Sequence, residues 1–259
     1  MRLSLSIMIM LVFVALLGML AAPYDPMQTN IRHTAQPPSV LHLFGTDQLG
    51  RDIFSRLLYG TRHTLLVAAL ATAFAVIPSL LLGVGAGMSR GWVDRFVMIF
   101  VNAFLAFPSL MLALVILTLL GQGTWQLAFA TGGAQIALYA RIARSATISI
   151  LSFGFIESAQ AVGVGKIRLL LRYILPNAQP ILIGYAGLVF SYNMINSAAL
   201  SFLGLGGEPG IPDWGVMLAE GREAFRFAPW VSIAPGVAIT LTVWAVNRLV
   251  DRLITPTSL

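Results

Sequence analysis

The chain has no cysteine. That excludes disulfides, thiolate metal sites and cysteine nucleophiles, and it leaves the redox compartment open. It is also poor in charge: 10% of its 259 residues are Asp, Glu, Lys or Arg, against about 25% in a soluble domain. With 58% hydrophobic residues and a mean hydropathy of +0.84, it reads as a polytopic membrane protein. No basic cluster interleaves with aromatic residues, so the net charge of +6 does not mark a nucleic-acid groove. H-E-x-x-H and G-x-S-x-G patterns are absent, which removes two hydrolytic readings. No internal repeat or low-complexity linker divides residues 1–259, so a single domain is expected.

What is present is a set of long apolar runs. About 20 such residues cross a bilayer, and six runs qualify: approximately 3–22, 64–88, 96–120, 125–142, 180–202 and 230–250. The fourth is short and rich in Gly and Ala. The first also has a small-residue end, Leu20-Ala21-Ala22, that suits signal cleavage. Its apolar core exceeds the usual 7–15 residues, and an uncleaved first helix is the better reading.

Six spans place Arg2, Arg90, Arg95, Arg141, Arg144, Lys166, Arg168, Arg172, Arg248 and Arg252 on one side. Arg32, Arg51, Arg56, Arg62, Arg222 and Arg226 fall on the other. The positive-inside rule then puts both termini in the cytoplasm. Ionisable groups are lacking at mid-span, which leaves a proton- or sodium-driven carrier poorly supported. Asn102, Asn193 and Asn196 are the polar groups within the runs, as candidates for a translocation path or as interhelical hydrogen bonders. Gly83 and Gly87 form a small-xxx-small pair suited to helix packing.

Between spans four and five, about 150–177, lies a cytoplasmic insert too charged to cross: Glu157-Ser-Ala-Gln-Ala-Val-Gly-Val-Gly-Lys166 and onward to Asn177. Glu157–Val162 suits a short helix that Gly163 and Gly165 break. Ile167, Leu170, Leu171 and Ile174 then recur at i, i+3, i+4 and i+7 as one apolar face. Pro176 is expected to end that second helix. Such a hairpin can lie on lipid headgroups, pack on its own spans, or dock into a groove of a partner. The Gly165-Lys166 pair is no phosphate loop, because Gln160 and Ile167 stand where the pattern needs Gly and Ser or Thr.

The insert resembles the EAA loop of ATP-binding-cassette importer permeases, E-A-A-x-x-x-G with an L-P-N ending. Glu157, Ala159 and Gly163 match, as do Leu175, Pro176 and Asn177; Ser158 replaces the usual Ala, and Tyr173 a frequent His. The resemblance implies an all-α, type I ABC importer permease fold. It also implies an ATPase-coupling role for Glu157, Ala159, Gly163, Ile167, Leu170, Leu171, Pro176 and Asn177.

On the outer side, 23–63 and 203–229, two further segments narrow the likeness. Gly45-Thr46-Asp47, Gly50-Arg51-Asp52 is similar to the G-T-D-x-x-G-R-D segment of dipeptide, oligopeptide and nickel permeases. Physically it is a turn-rich stretch in which Asp52 caps a short amphipathic helix. Ser201–Gly206 with Trp214 and Glu220 is the second match, a loop whose glycines and prolines argue against helix and whose Trp214 and Trp230 suit the interface. These residues are candidate contacts for an outer partner or gate. His33, His42 and His63 fit no metal spacing and are expected at the surface.

What the family implies is a non-catalytic permease of a bacterial inner membrane. Its partners would be a second, homologous permease, two ATPase subunits and an extracytoplasmic binding protein. This chain would bind no cofactor, with ATP and magnesium held by the ATPases. The implied substrate is a dipeptide or oligopeptide, with nickel or a metal chelate second. Channel, secondary-carrier and scaffold functions are the alternatives from other classes.

Overall fold

The computed structural model describes residues 2–89, 91–206, 208 and 210–254; Arg90 lies outside them. Helices make up most of the described residues: α1 Arg2–Ala21, α2 Ile53–Ser89, α3 Gly91–Leu105, α4 Ser109–Leu120, α5 Thr124–Leu151, α6 Gly154–Ala161, α7 Lys166–Leu169, α8 Leu175–Phe202, α9 Trp214–Ala224 and α10 Trp230–Ile254. A π turn, Leu170–Ile174, joins α7 to α8. The three run on as one 37-residue helix, Lys166–Phe202.

Among the described residues, α2, Lys166–Phe202 and α10 are each long and apolar enough to cross a membrane. Counting each bent pair as one span adds α3 with α4 and α5 with α6, and α1 contributes a shorter apolar helix, Ser6–Gly18. Several helices run past the apolar runs. The helix capped by Asp52 is the first three turns of α2 rather than a separate element, because nothing between Ile53 and Thr64 breaks it. The third run is broken: α3 and α4 meet at 92°. Pro108 has no amide hydrogen to donate and disfavours helix at Phe107, so the chain turns there.

The core is built on α2 against α5, the most extensive helix pair, with α8, α1 and α10 around it. Glycine sets the approach. A Cβ at Gly83 would lie 2.2 Å from the Ala140 carbonyl oxygen, and one at Gly132 would lie 2.3 Å from that of Ala71. Each helix therefore supplies a glycine where the other's backbone comes closest. Gly87 does the same against Thr147, as the small-xxx-small spacing predicts.

Two expectations fail here. The helix does not end at Pro176. The π turn immediately before it accommodates the ring, and the Asn177 side-chain amide donates to the Tyr173 carbonyl at 2.6 Å. Nor is the outer segment after Pro212 non-helical. Asp213 caps α9, its Oδ1 accepting from the amides of Gly215 (2.7 Å) and Val216 (3.1 Å).

Candidate functional site

Chemistry-bearing residues gather at the two ends of the bundle. At one end, α6 leaves α5 at 71°. Ile156 and Ala159 of α6 are buried with Leu169, Ile174 and Ala178 in the cluster that also holds Ala143 and Ile150 of α5. The hairpin is therefore seated on the bundle. Its turn needs glycine at one point: Gly163 has φ +81, the left-handed region that side chains strain. Gly165 is ordinary extended backbone, φ −68, leading into α7.

The predicted apolar face is split. Leu169 and Ile174 are buried and Leu170 half-buried, whereas Ile167 (75% exposed) and Leu171 face outward beside Val162 (81%). A π turn inserts a residue relative to the 3.6 period, so i+3 and i+4 no longer stay on one side. Leu169, absent from the predicted face, was not legible for the same reason. The hairpin presents Glu157, Val162, Ile167, Leu171, Pro176 and Asn177 outward, and keeps Ala159 as an internal anchor.

At the other end, residues 22–52 fold back over the start of α2. Asp47, 2% exposed, is the centre. Its Oδ1 accepts from the amides of Leu49 and Arg51, both 2.9 Å. Its Oδ2 accepts from Arg51 Nε (2.6 Å) and Arg56 Nη1 (2.5 Å). Glu220 of α9 closes the cluster, at 2.6 Å from Arg56 Nη1 and 2.9 Å from Arg51 Nη2. Two carboxylates face two guanidiniums, so the buried charges neutralise one another.

Beside this clasp, Asp52 caps α2. Its Oδ2 accepts from the Ser55 amide and hydroxyl, both 2.8 Å, and its Oδ1 meets His42 Nδ1 at 2.9 Å. The Trp230 indole donates to the Thr46 carbonyl at 3.2 Å. Gly45 (φ +75) and Gly50 (φ +72) are required twice over, since side chains there would strike Gln36 and Asn30 backbone oxygens.

The outer segments called out by sequence thus converge: Asp47, Arg51 and Glu220 touch, and Asp52, Thr46 and Gly45 surround them. Trp214 stands apart, buried rather than interfacial. Its indole donates to the Leu57 carbonyl at 3.1 Å in the space left by Gly60. Two of the three histidines are likewise not surface groups, and His33 is half-buried. His42 and His63 are buried. His63 bridges Asp213 Oδ2 (3.3 Å) and Thr124 Oγ1 (3.0 Å), and His33 Nδ1 lies 3.3 Å from His42 Nε2. Their partners sit up to 150 residues away, out of reach of any local pattern. Among the described residues, no group of three or more His, Asp or Glu could hold a metal ion.

The three asparagines do not share a surface. Asn193 and Asn196 are buried, Asn193 Nδ2 donating to Thr72 Oγ1 at 3.4 Å and Asn196 Nδ2 lying 3.5 Å from Ser109 Oγ. Asn102 is exposed on α3.

Residues 79–255 match the family of binding-protein-dependent transport system inner membrane components. The chain belongs to this family. The match takes in the α6 hairpin and runs on through α10. The chain is 38% identical to the di/tripeptide transport system permease protein DppC of Pseudomonas aeruginosa, over 96% of this chain and 84% of that one. It is 36% identical to the dipeptide permease DppC of Alkalihalophilus pseudofirmus (93% and 80%), and 35% identical to the glutathione permease GsiD of Pectobacterium atrosepticum (95% and 82%). The inward-facing MetNI methionine ABC transporter superposes with a TM-score of 0.61 at 20% identity, over 76% of this chain and 94% of that one. That likeness identifies the type I ABC importer permease fold. A binding-protein-dependent inner membrane component is a non-catalytic membrane subunit that works with an ATPase and a substrate-binding protein.

Proposed function

We infer that the chain is one permease of an ATP-driven importer for short peptides. It pairs with a second homologous permease, and its α6 hairpin docks into a cleft of a separate ATPase. The observation that carries this reading is the hairpin itself: an outward apolar tip, Val162, Ile167 and Leu171, held on an inner face whose Ile156, Ala159, Leu169 and Ile174 are buried against the bundle. A loop meant to lie on lipid has no need of a rigid seat. One that transmits force does, because a partner's movement reaches the bundle only through contacts that do not yield. ATP and magnesium belong to that ATPase, and this chain binds no cofactor. Both termini, with α6, face the cytoplasm, as the Lys/Arg bias supports.

Peptide is the substrate class that the DppC and GsiD relatives support, glutathione being itself a tripeptide. Discrimination among peptides rests mainly with the binding protein. In this chain, Asn193 and Asn196 are the candidate path residues near the bundle interior, and Asn193 Oδ1 has no hydrogen-bond partner among the described residues. The clasp around Asp47 and Glu220 shapes the outer face that meets the binding protein.

The test is reconstituted uptake with the ATPase and binding protein present. Glu157→Lys and Gly163→Leu should each abolish ATP-dependent peptide uptake while membrane insertion continues. Undiminished transport by both variants would overturn the docking assignment.

A further inference from the structure

We propose that the cleft between α3 and α5 is a binding site for one anionic glycerophospholipid, in the leaflet on the α6 side. The cleft has a volume of about 370 Å³ and an apolar lining that includes Phe96, Phe100 and Phe104 on one wall and Gly133 and Ile136 on the other. The phenylalanines recur every four residues and form a ladder, Phe96 and Phe100 in edge contact at 5.0 Å, with Trp92 stacked below at 5.5 Å. A tryptophan at the foot of such a ladder suits the headgroup level.

Charge selects the occupant. Ala137 lines the cleft, and Arg141 follows it by four residues, on the same helix face one turn nearer α6. Arg95 adjoins Phe96 at the same level. Both guanidiniums are exposed, and among the described residues neither has a hydrogen-bond or ion-pair partner. Arg144, by contrast, is held by Asp94, with Nη2 to Oδ2 at 2.6 Å. The cleft thus combines a hydrocarbon slot with two available cations within one helical turn of its lining residues, the arrangement that recognises a phosphodiester with one acyl chain.

The purified full chain with its co-purifying subunits, delipidated and titrated, tests this by native mass spectrometry. Phosphatidylglycerol should be retained in preference to phosphatidylethanolamine of the same chains. The double variant Arg95→Ala/Arg141→Ala should weaken retention of phosphatidylglycerol roughly thirtyfold. Gly133→Leu should block the slot for both lipids; a Cβ at Gly133 meets only Ile116 Cδ1, at 3.5 Å, so the fold tolerates it. Arg226→Ala at the far end should change nothing. A photo-crosslinking side chain at Phe100 should capture lipid. Equal retention of the two lipids, an unaffected double variant, or crosslinking at Phe100 to a second polypeptide would each overturn the proposal.

Discussion

Removing the Asp47 carboxylate should open the outer end of the protein while leaving the membrane helices assembled. Asp47→Ala deletes both charge pairs and both backbone bonds that this side chain accepts. Arg51 and Arg56 are then left buried with Glu220 alone, and Glu220 is itself 34% solvent-accessible. Breaking a buried, hydrogen-bonded pair by removing one partner costs about 3–5 kcal/mol. Taking the lower figure, at about 1.4 kcal/mol per tenfold, residues 22–52 should detach on the order of a hundredfold more often. The assay is the rate of protease cleavage at Arg51 and Arg56 in intact proteoliposomes, under conditions where cleavage follows the open population. Asp47→Asn keeps an acceptor for the two amides and should fall between. Glu220→Ala removes the more solvated partner and should raise cleavage by no more than about tenfold. If Asp47→Ala were cleaved no faster than Glu220→Ala, the carboxylate would not be the centre of the clasp.

Other perturbations separate the remaining contacts. Gly132→Leu forces α5 away from the Ala71 backbone and should lower the melting temperature in detergent by an overpacking cost of about 1–3 kcal/mol. Gly85→Leu, where a Cβ meets nothing within 4 Å, should leave it unchanged. Asp213→Ala removes the α9 cap and the partner of His63, and should cost about 1–2 kcal/mol, read as faster hydrogen exchange in Trp214–Ala224. Arg144→Ala breaks a partly buried pair and should cost on the order of 1 kcal/mol. The charge exchange Arg144→Asp with Asp94→Arg should restore most of that loss, as read from thermal melting.

What the sequence discloses follows the range of the interactions. That α2 carries a close-packing face was legible because Gly83 and Gly87 recur at helical spacing, though not that α5 covers it, and the hairpin turn was legible because only glycine suits Gly163. Asp52 declares itself as a cap because its partner, Ser55, is three residues away. The burial of His42 and His63 was hidden, since polar residues on an outer segment look solvated until their carboxylate partners fold beside them. Helix α9 was hidden by its own composition: glycines and flanking prolines read as a loop, and the Asp213 cap with the buried Trp214 and Met217 overrides them.

The π turn at Leu170–Ile174 joins the local and the global parts of this account. Periodicity assumes 3.6 residues per turn, and five residues of wider helix rotate everything before them relative to α8. The rotation turns Ile167 and Leu171 outward and Leu169 inward, so one hydrophobic stretch serves two surfaces, a seat on the bundle and an exposed outer face. It also brings Pro176 into the helix without a break, so α7 and α8 continue as one rod from the hairpin into the core beside Asn193 and Asn196. A helix that ended at Pro176 would leave a flexible joint between docking tip and bundle, and motion imposed at the tip would dissipate there. The wide turn removes that joint. The element that defeated the pattern is the one that joins the hairpin stiffly to the bundle, as the proposed coupling requires.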